Sequence, residues 1–367
     1  MITILCITAF FILLYLLYPV WLSLSAPAKK NEDPLTFVPG GVSVILLSYN
    51  GMKYLEKKIN CLLTELSVFP HAELVVVDDA STDGSPAWLQ LLPPSERLVV
   101  ILNPGHRGIP FSMNRAVSLS RYDVIIFCDQ RQELSEGCLS ALVGPLSDER
   151  IGAVSGCISV ADRENRRSFI RMHENCLKLL EGRTGSLIGV YGPCYAIRKE
   201  CYSPIPDAII LDDLYLSLKI LHSKKVLMLE PCRIVDDNLS VIYGYRRARR
   251  YLSGLLQVLS DPEVMKGLSA RHRLMLIWHK YLRLVIPPLI FLCWLFIGLE
   301  AVHSFYPRIL FILLTAALLF ALLPVRLIPR FRLKNLIRMN FFYFVASLDI
   351  LVRDIILPSP LKTAKTP

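Results

Sequence analysis

The chain opens on an apolar run, residues 2–24 (ITILCITAFFILLYLLYPVWLSL), with no charged side chain, and Lys29 and Lys30 follow close behind. About 20 such residues cross a bilayer as a helix. The run is longer than the roughly 7–15 apolar residues of a cleaved leader and lacks a basic stretch in front of it, although Ala26-Pro27-Ala28 loosely resembles a cleavage site. An uncleaved anchor over residues 1–26 is therefore expected. The positive-inside rule then assigns Lys29-Lys30, and the domain after them, to the cytoplasmic side.

From Gly41 to about Pro262 the pattern changes. Short apolar runs end in polar residues: VSVILLS (42–48), ELVVVDD (73–79), LVVILN (98–103) and DVIIFCD (123–129). Between them, 54–67, 84–91 and 111–121 read as helices. Alternating strands and helices predict an α/β domain over 41–262 with a largely parallel sheet covered by helices. Apolar runs return at 281–302 and 306–325, which predicts a transmembrane hairpin over 277–325. The basic stretch RLIPRFRLKNLIR (326–338) belongs on the cytoplasmic side. Residues 335–367 hold a last apolar segment, 341–357, interrupted by Asp349, Arg353 and Asp354. Those charges make an interfacial helix at least as good a reading as a span.

Composition agrees with membrane segments around a soluble middle. Apolar residues make up 53% of the 367 and cluster at the two ends. The net charge of +10 lies largely beside the apolar segments, where an anionic lipid surface accounts for it. No nucleic-acid module and no basic stripe interleaved with aromatics is present, so nucleic acid is not an expected partner. The ten cysteines form no CxxC pair, which argues against a zinc site or a disulfide framework and fits a reducing compartment.

Candidate chemistry gathers at the strand ends: Ser48, Asp78-Asp79, Asn103 and Asp129. Open α/β sheets bind ligands outside the carboxyl ends of their strands. Tyr49 offers an aromatic face to a base, and Asp79 an acceptor for a nucleobase imide or a ribose hydroxyl. The bland alternative for residues 78–84 (DDASTDG) is a turn with a helix cap. Asp212-Asp213 stands before a helical run, where acids also suit a helix N-terminus.

The order SYN, VVVDDASTDGS, FCDQ, GPCYAIRKE and LDDLYLSLKI resembles the inverting family 2 glycosyltransferases over residues 41–258. The flanking apolar segments resemble the membrane-bound branch that includes synthases of cellulose, hyaluronan and poly-N-acetylglucosamine type. This resemblance implies a GT-A fold, a Rossmann-like nucleotide-diphospho-sugar transferase domain, flanked by transmembrane helices. It implies a nucleotide-sugar donor, usually UDP-linked in such a family, with Ser48, Tyr49, Asp79, Asn103 and Arg107 around the nucleotide. Asp129 takes the first place of the family's DxD motif, which holds Mg2+ or Mn2+ against the diphosphate. Arg131 stands where the second Asp belongs, so either its guanidinium faces the diphosphate or Asp129 alone ligates the metal. Asp213 takes the place of the general base, with Asp212 beside it. The segment Gly189–Cys194 resembles the family's sugar pocket, or else an ordinary glycine turn.

Arg247 and Arg250 fall where processive members carry QxxRW, implying diphosphate contacts, while a basic helix resting on lipid explains the same residues. The Gln and Trp of that motif are replaced by Arg247 and Tyr251, which weakens a processive reading. The expected acceptor is lipid-linked or a glycan. Arg131 and the altered QxxRW leave a second reading open: a catalytically impaired, nucleotide-sugar-binding subunit of an assembly. A nucleotidyltransferase is disfavoured because SYNGMKYL lacks a glycine- and lysine-rich phosphate loop. His106 and His222 have no partner at ligand spacing and read as structural or solvated.

Overall fold

A computed structural model describes residues 2–26, 40–159, 169–235, 244–322 and 332–352. Lys29-Lys30, residues 326–331 of the basic stretch, and Arg353 and Asp354 lie outside the described residues. In chain order the main elements are α1 (Ile2–Ser25), β1 (Val42–Ser48), α2 (Met52–Leu66), β2 (Ala72–Asp78), α3 (Ser85–Gln90), β3 (Leu98–Leu102), α4 (Ile109–Leu119), β4 (Val124–Asp129), β5 (Glu133–Leu134), α5 (Cys138–Val143), β6 (Ile151–Ser159), α6 (Phe169–Arg183), β7 (Cys194–Arg198), α7 (Asp212–Ile220), β8 (Lys225–Val235), α8 (Tyr245–Ser260), α9 (Pro262–Gly267), α10 (Ala270–Leu276), α11 (Leu282–Glu300), α12 (Phe305–Leu322) and α13 (Arg332–Ile350). They form two compact units, one of Trp21–Asp237 with Asp261–Arg273, the other of Met1–Val20, Asn238–Ser260 and Leu274–Pro367.

The first unit is built on an eight-stranded sheet of order β3-β2-β1-β4-β7-β6-β8-β5. The strands β1 to β4 run parallel to one another, and each begins and ends within two residues of the run read from the sequence. Their apolar character is continuous rather than alternating because these strands are covered on both faces; Val44, Ile45, Leu46, Leu74, Val75, Val76 and Val77 are all fully buried. Helix α2 presents Leu55, Ile59, Leu62 and Leu66 at helical spacing and packs on β2 and α5, while α4 covers β1 and β2.

The expectation of a largely parallel sheet is corrected by the other half. There β7 runs antiparallel to both β4 and β6, β5 is antiparallel to β8, and β6 pairs β8 in parallel, so the sheet is mixed. In this half β6 is closely packed. A Cβ on Gly152 would come within 2.6 Å of Ile220, and one on Gly156 within 2.9 Å of Cys232, so the strand gives up side chains to admit α7 and β8. An apolar run cannot mark such a strand.

At the end of the sheet away from the strand carboxyl ends, Glu73 is fully buried. Ser43 and Arg121 satisfy it, with Arg121 Nε at 2.7 Å and the Arg121 backbone N–H at 2.6 Å. Burial pushes the Glu73 carboxyl up, but the hydrogen bonds and the guanidinium charge outweigh it and hold it below the usual range. The cysteine expectation also needs correction: Cys138 in α5 and Cys232 in β8 form a disulfide across 94 residues of sequence. Sequence spacing carries no signal for a pair made by tertiary structure.

In the second unit, α1 exposes Phe10, Leu13, Leu16 and Val20. Thr8 Oγ1 meets Cys293 Sγ of α11 at 3.1 Å, and the Tyr18 ring lies 5.4 Å from that of Trp278. Helices α11, α12 and α13 pack on one another. Ala248 and Leu252 of α8 pack with Ala346 and Ile350 of α13, and Arg249 Nε donates to Asp349 Oδ2 at 2.6 Å. Asp349, whose charge interrupts the apolar run in sequence, is thus paired inside the unit. Among the described residues, Leu5–Ser25 is long and apolar enough to cross a membrane. Ala270–Tyr281 with Leu284–Glu300 meets that test only as a bent pair, and Phe305–Leu319 and Met339–Ile350 are shorter apolar helices.

Candidate active site

The carboxyl ends of β1, β2, β3 and β4 bring Ser48, Asp78, Asp79, Asn103 and Asp129 to one edge of the first unit. The turn after β2 divides its acids between two roles. Asp78 is fully buried and accepts from the Ser81 backbone N–H at 2.8 Å and hydroxyl at 2.6 Å. Asp83 accepts from the Met52 N–H at 2.8 Å and the Ser85 hydroxyl at 2.6 Å, tying the turn to the start of α2. Asn50 completes the tie by accepting from the Thr82 N–H at 2.8 Å. For Asp78 and Asp83 the turn-and-cap reading therefore holds.

Asp79 turns the other way. Its Oδ1 accepts from Asn103 Nδ2 at 2.7 Å and the Arg107 N–H at 3.1 Å, and its Oδ2 from the Gly108 N–H at 2.7 Å. His106 Nδ1 lies 2.8 Å from Oδ2. Burial raises the Asp79 carboxyl, but the bonds from Asn103, Arg107 and Gly108 and the nearby His106 ring outweigh it and hold it below the usual range. The neighbouring Ala80 has φ +60°, a conformation unusual for a side chain with a Cβ, and Gly108 has φ +91°. Both mark a backbone shaped around this carboxylate.

Asn103 is buried and its amide is used on both sides: Nδ2 also donates to Ser112 at 2.9 Å, and Oδ1 accepts from Arg115 at 2.7 Å. It stands behind Asp79 rather than in the open. Arg107 sends its guanidinium to Asp207 at 3.1 Å and over the Phe111 ring at 4.4 Å, so only its backbone meets Asp79. Tyr49 is 45% exposed, and its ring stacks on that of His106 with centroids 4.1 Å apart and planes 26° apart. His106 is the residue the sequence did not point to. A lone histidine has no spacing signature, and only the fold carries it to Tyr49 and Asp79.

At the end of β4, Asp129 is partly exposed and its backbone N–H donates to Pro193 O at 2.9 Å. Gln130 turns inward. Its Oε1 accepts from the Ser48 hydroxyl at 2.9 Å and its Nε2 donates to Tyr49 O at 3.3 Å. It lies so close to the start of α2 that a Cβ on Gly51 would sit 1.8 Å from Gln130 Oε1. Lys57 pairs with Glu133, and the buried Lys58 donates to Gln132 O at 2.7 Å, so α2 holds the chain just after Arg131. Arg131 itself is exposed.

Asp212 and Asp213 are the first two residues of α7. Asp213 Oδ1 accepts from the Leu214 N–H at 2.8 Å, and its Oδ2 would be 3.3 Å from a Cβ on Gly192. The Gly189–Gly192 turn is pinned from below: Ser217 of α7 accepts from the Val190 N–H at 3.0 Å, the buried Lys178 donates to Gly189 O, and Tyr191 bonds Asn175 at 2.7 Å. The turn therefore fixes the space beside Asp213.

Below these acids lies Tyr195, 2% exposed. It pairs with Phe127 in the β4–β7 register, and Asp129 lies two residues beyond Phe127, so Tyr195 and Asp129 share one face of the sheet. The Tyr195 hydroxyl is buried and makes no hydrogen bond in the protein. Burial, then the charges of Asp212, Asp213, Tyr202 and Asp129, push its ionisation far above the usual range.

Arg247 and Arg250 lie on α8 in the second unit, where both are exposed. No group of three or more His, Cys, Asp or Glu among the described residues is placed to hold a metal ion. A single partly exposed carboxylate, Asp129, does fit an ion that takes its other ligands from a diphosphate and water, as Mg2+-type ions do.

Three comparisons bear on this arrangement. Residues 43–203 match the family described as Glycosyl transferase family 2. A stretch of 89 residues, 24% of this chain, is 34% identical to "Putative teichuronic acid biosynthesis glycosyltransferase TuaG" of Bacillus subtilis (strain 168). That stretch spans about a third (34%) of the relative's length. Among solved structures, the mannosyltransferase PcManGT of Pyrobaculum calidifontis, in complex with GDP-Man and Mn2+, superposes with a TM-score of 0.73 over 96% of this chain and 98% of that one, at 21% identity. Residues 43–203 are thus similar to glycosyl transferase family 2, and the α/β fold with a mixed sheet is GT-A.

Proposed function

We propose that the chain is an inverting glycosyltransferase that moves a sugar from a nucleotide-sugar donor, UDP-linked in our reading, to a lipid-linked or glycan acceptor at the cytoplasmic face of a membrane. Its place would be in cell-envelope or exopolysaccharide synthesis. The observation that supports this reading is the Tyr49–Asp79 edge, with Asp79 held by Asn103 and the Arg107 and Gly108 N–H groups, in the same unit as Asp129 and Asp212-Asp213. One end of a sheet thereby offers a base-binding edge, a diphosphate-side carboxylate and a candidate proton acceptor. The TuaG name and the nucleotide-sugar complex of the mannosyltransferase support it.

In this reading the nucleobase stacks on Tyr49 and donates to Asp79, while Asn103 and the Arg107 and Gly108 N–H groups hold Asp79 in place. Asp129 holds a divalent ion, Mg2+ or Mn2+, against the donor diphosphate, and such an ion neutralises the charge of the leaving group. Arg131, exposed beside it, is a further cation for the phosphates. Asp213 takes the proton from the acceptor hydroxyl as that oxygen attacks the anomeric carbon and the nucleoside diphosphate leaves from the opposite face. Gly192 leaves room beside Asp213 for the acceptor.

Residues 1–26 and the hairpin 277–325 hold the domain at the bilayer, and the exposed Arg246, Arg247 and Arg250 of α8 meet anionic head groups. The competing reading is a nucleotide-sugar-binding subunit without activity, motivated by Arg131 in place of a second acid. The test is a panel of nucleotide sugars with the full chain in detergent, with and without Mn2+, reading thermal stabilisation and release of nucleoside diphosphate. Stabilisation and release with one donor supports the enzyme. Stabilisation without release by any donor, with acceptor lipids present, supports the subunit.

A further inference from the structure

Tyr49 and Asp79, the two groups expected to receive a nucleobase, are both covered by one side chain of the chain itself. The His106 ring stacks on Tyr49 at 4.1 Å, and its Nδ1 lies 2.8 Å from Asp79 Oδ2. A carboxylate has about four acceptor directions, and four donors surround Asp79: Asn103 Nδ2, the Arg107 N–H, the Gly108 N–H and His106 Nδ1. The first three are not exchangeable. Two are backbone groups of the loop, and the third is a buried amide held by Ser112 and Arg115. His106, whose side chain is 55% exposed, can swing away without unpicking the loop.

We propose that His106 is a stand-in for the nucleobase: it occupies the stacking face of Tyr49 and the fourth acceptor direction of Asp79 until a nucleotide exchanges for it, and so sets the affinity of the site. This rests on the reading of Tyr49 and Asp79 as the nucleobase edge. A base with a ring N–H between carbonyl groups, as in uracil, or beside one, as in guanine, replaces both contacts at once. It gives a flat face to Tyr49 and an N–H to Asp79 Oδ2. The exchange costs one hydrogen bond and one ring stack that the free protein already makes, and these return only through the ligand. A chain without the His106 ring starts with both groups open.

The test is calorimetric titration of the full chain in detergent with UDP and, separately, GDP. His106→Ala is expected to bind the better of the two about tenfold more tightly than the wild type, from one stack and one hydrogen bond no longer displaced. His106→Phe keeps a ring over Tyr49 without a donor to Asp79 and is expected to bind more tightly too, by a smaller factor. It also serves if the alanine chain does not fold. If neither variant binds more tightly while Tyr49→Ala binds more weakly than wild type, the stand-in is overturned and the nucleobase edge survives. If Tyr49→Ala binds both nucleotides as wild type does, or neither nucleotide binds any of the chains, both readings fall.

Discussion

Tyr195 and Gly192 show how much of the site is set by single residues that carry no charge. The Tyr195 hydroxyl is buried with no protein partner, and such a group costs about 1–3 kcal/mol. Tyr195→Phe is therefore expected to raise stability by about 1 kcal/mol, measured by denaturant unfolding of the full chain in detergent. A loss of stability would mean that the hydroxyl has a partner in solution. Gly192 has no positive φ to protect, so its role is space: a Cβ there sits 3.3 Å from Asp213 Oδ2. Gly192→Ala should shift Asp213 by a few tenths of an ångström and lower turnover about tenfold, with little change in melting temperature. Equal turnover in the two proteins would show that this contact does not position Asp213. Asp79 and Asp129 were legible in the sequence because each ends an apolar run that is also a buried strand. The division of labour between Asp78 and Asp79 was not, because adjacent acids look alike until the fold sends one to Ser81 and the other to the loop at Gly108.

Among the elements, β1 to β4 announced themselves through continuous apolar runs, while β6 did not, since Gly152 and Gly156 trade side chains for close approach. Strand direction is likewise unwritten in the pattern; β7 reads CYAIR and would look the same in either direction. What the sequence also hid is the ion pair that anchors the amino end of β2. Glu73 is fully buried and Arg121 half-exposed, and removing one partner of a buried pair typically costs about 3 kcal/mol or more. Because the folded Glu73 carboxyl is held below its usual value, its contribution is fully present above the unfolded pKa of about 4.3 and is lost as pH falls through the lower folded value. Unfolding of the wild type followed from pH 7 to pH 3 should therefore show a loss of stability that Arg121→Ala, already destabilised at neutral pH, shows less steeply. Parallel curves would remove Arg121 as the cause.

At the scale of the whole molecule, the helices at Ile2–Ser25, Leu282–Glu300 and Phe305–Leu322 stand where the apolar runs lie. Helix α8 follows the strands in sequence, and its apolar stripe packs on α13 in the second unit. The Cys138–Cys232 pair is the feature least in keeping with a cytoplasmic domain, since that compartment keeps thiols reduced. If the domain faces the cytoplasm, alkylation of cells at lysis should label both cysteines as thiols. Recovery of the intact disulfide would place the domain on an oxidising side. With Asp129 as the carboxylate beside the diphosphate, Mn2+ should bind the nucleotide-free protein weakly and tighten when UDP or GDP is present, read by electron paramagnetic resonance of free Mn2+. Equal Mn2+ binding with and without nucleotide would point to a site built by the protein alone.

The central claim is that Asp213 removes the acceptor proton, and it is tested by comparing wild type and Asp213→Asn for sugar transfer and for nucleotide binding in the same preparation. The expected result is a loss of turnover of about a hundredfold or more, with nucleoside diphosphate affinity within about twofold of the wild type. Transfer by Asp213→Asn at the wild-type rate would contradict it.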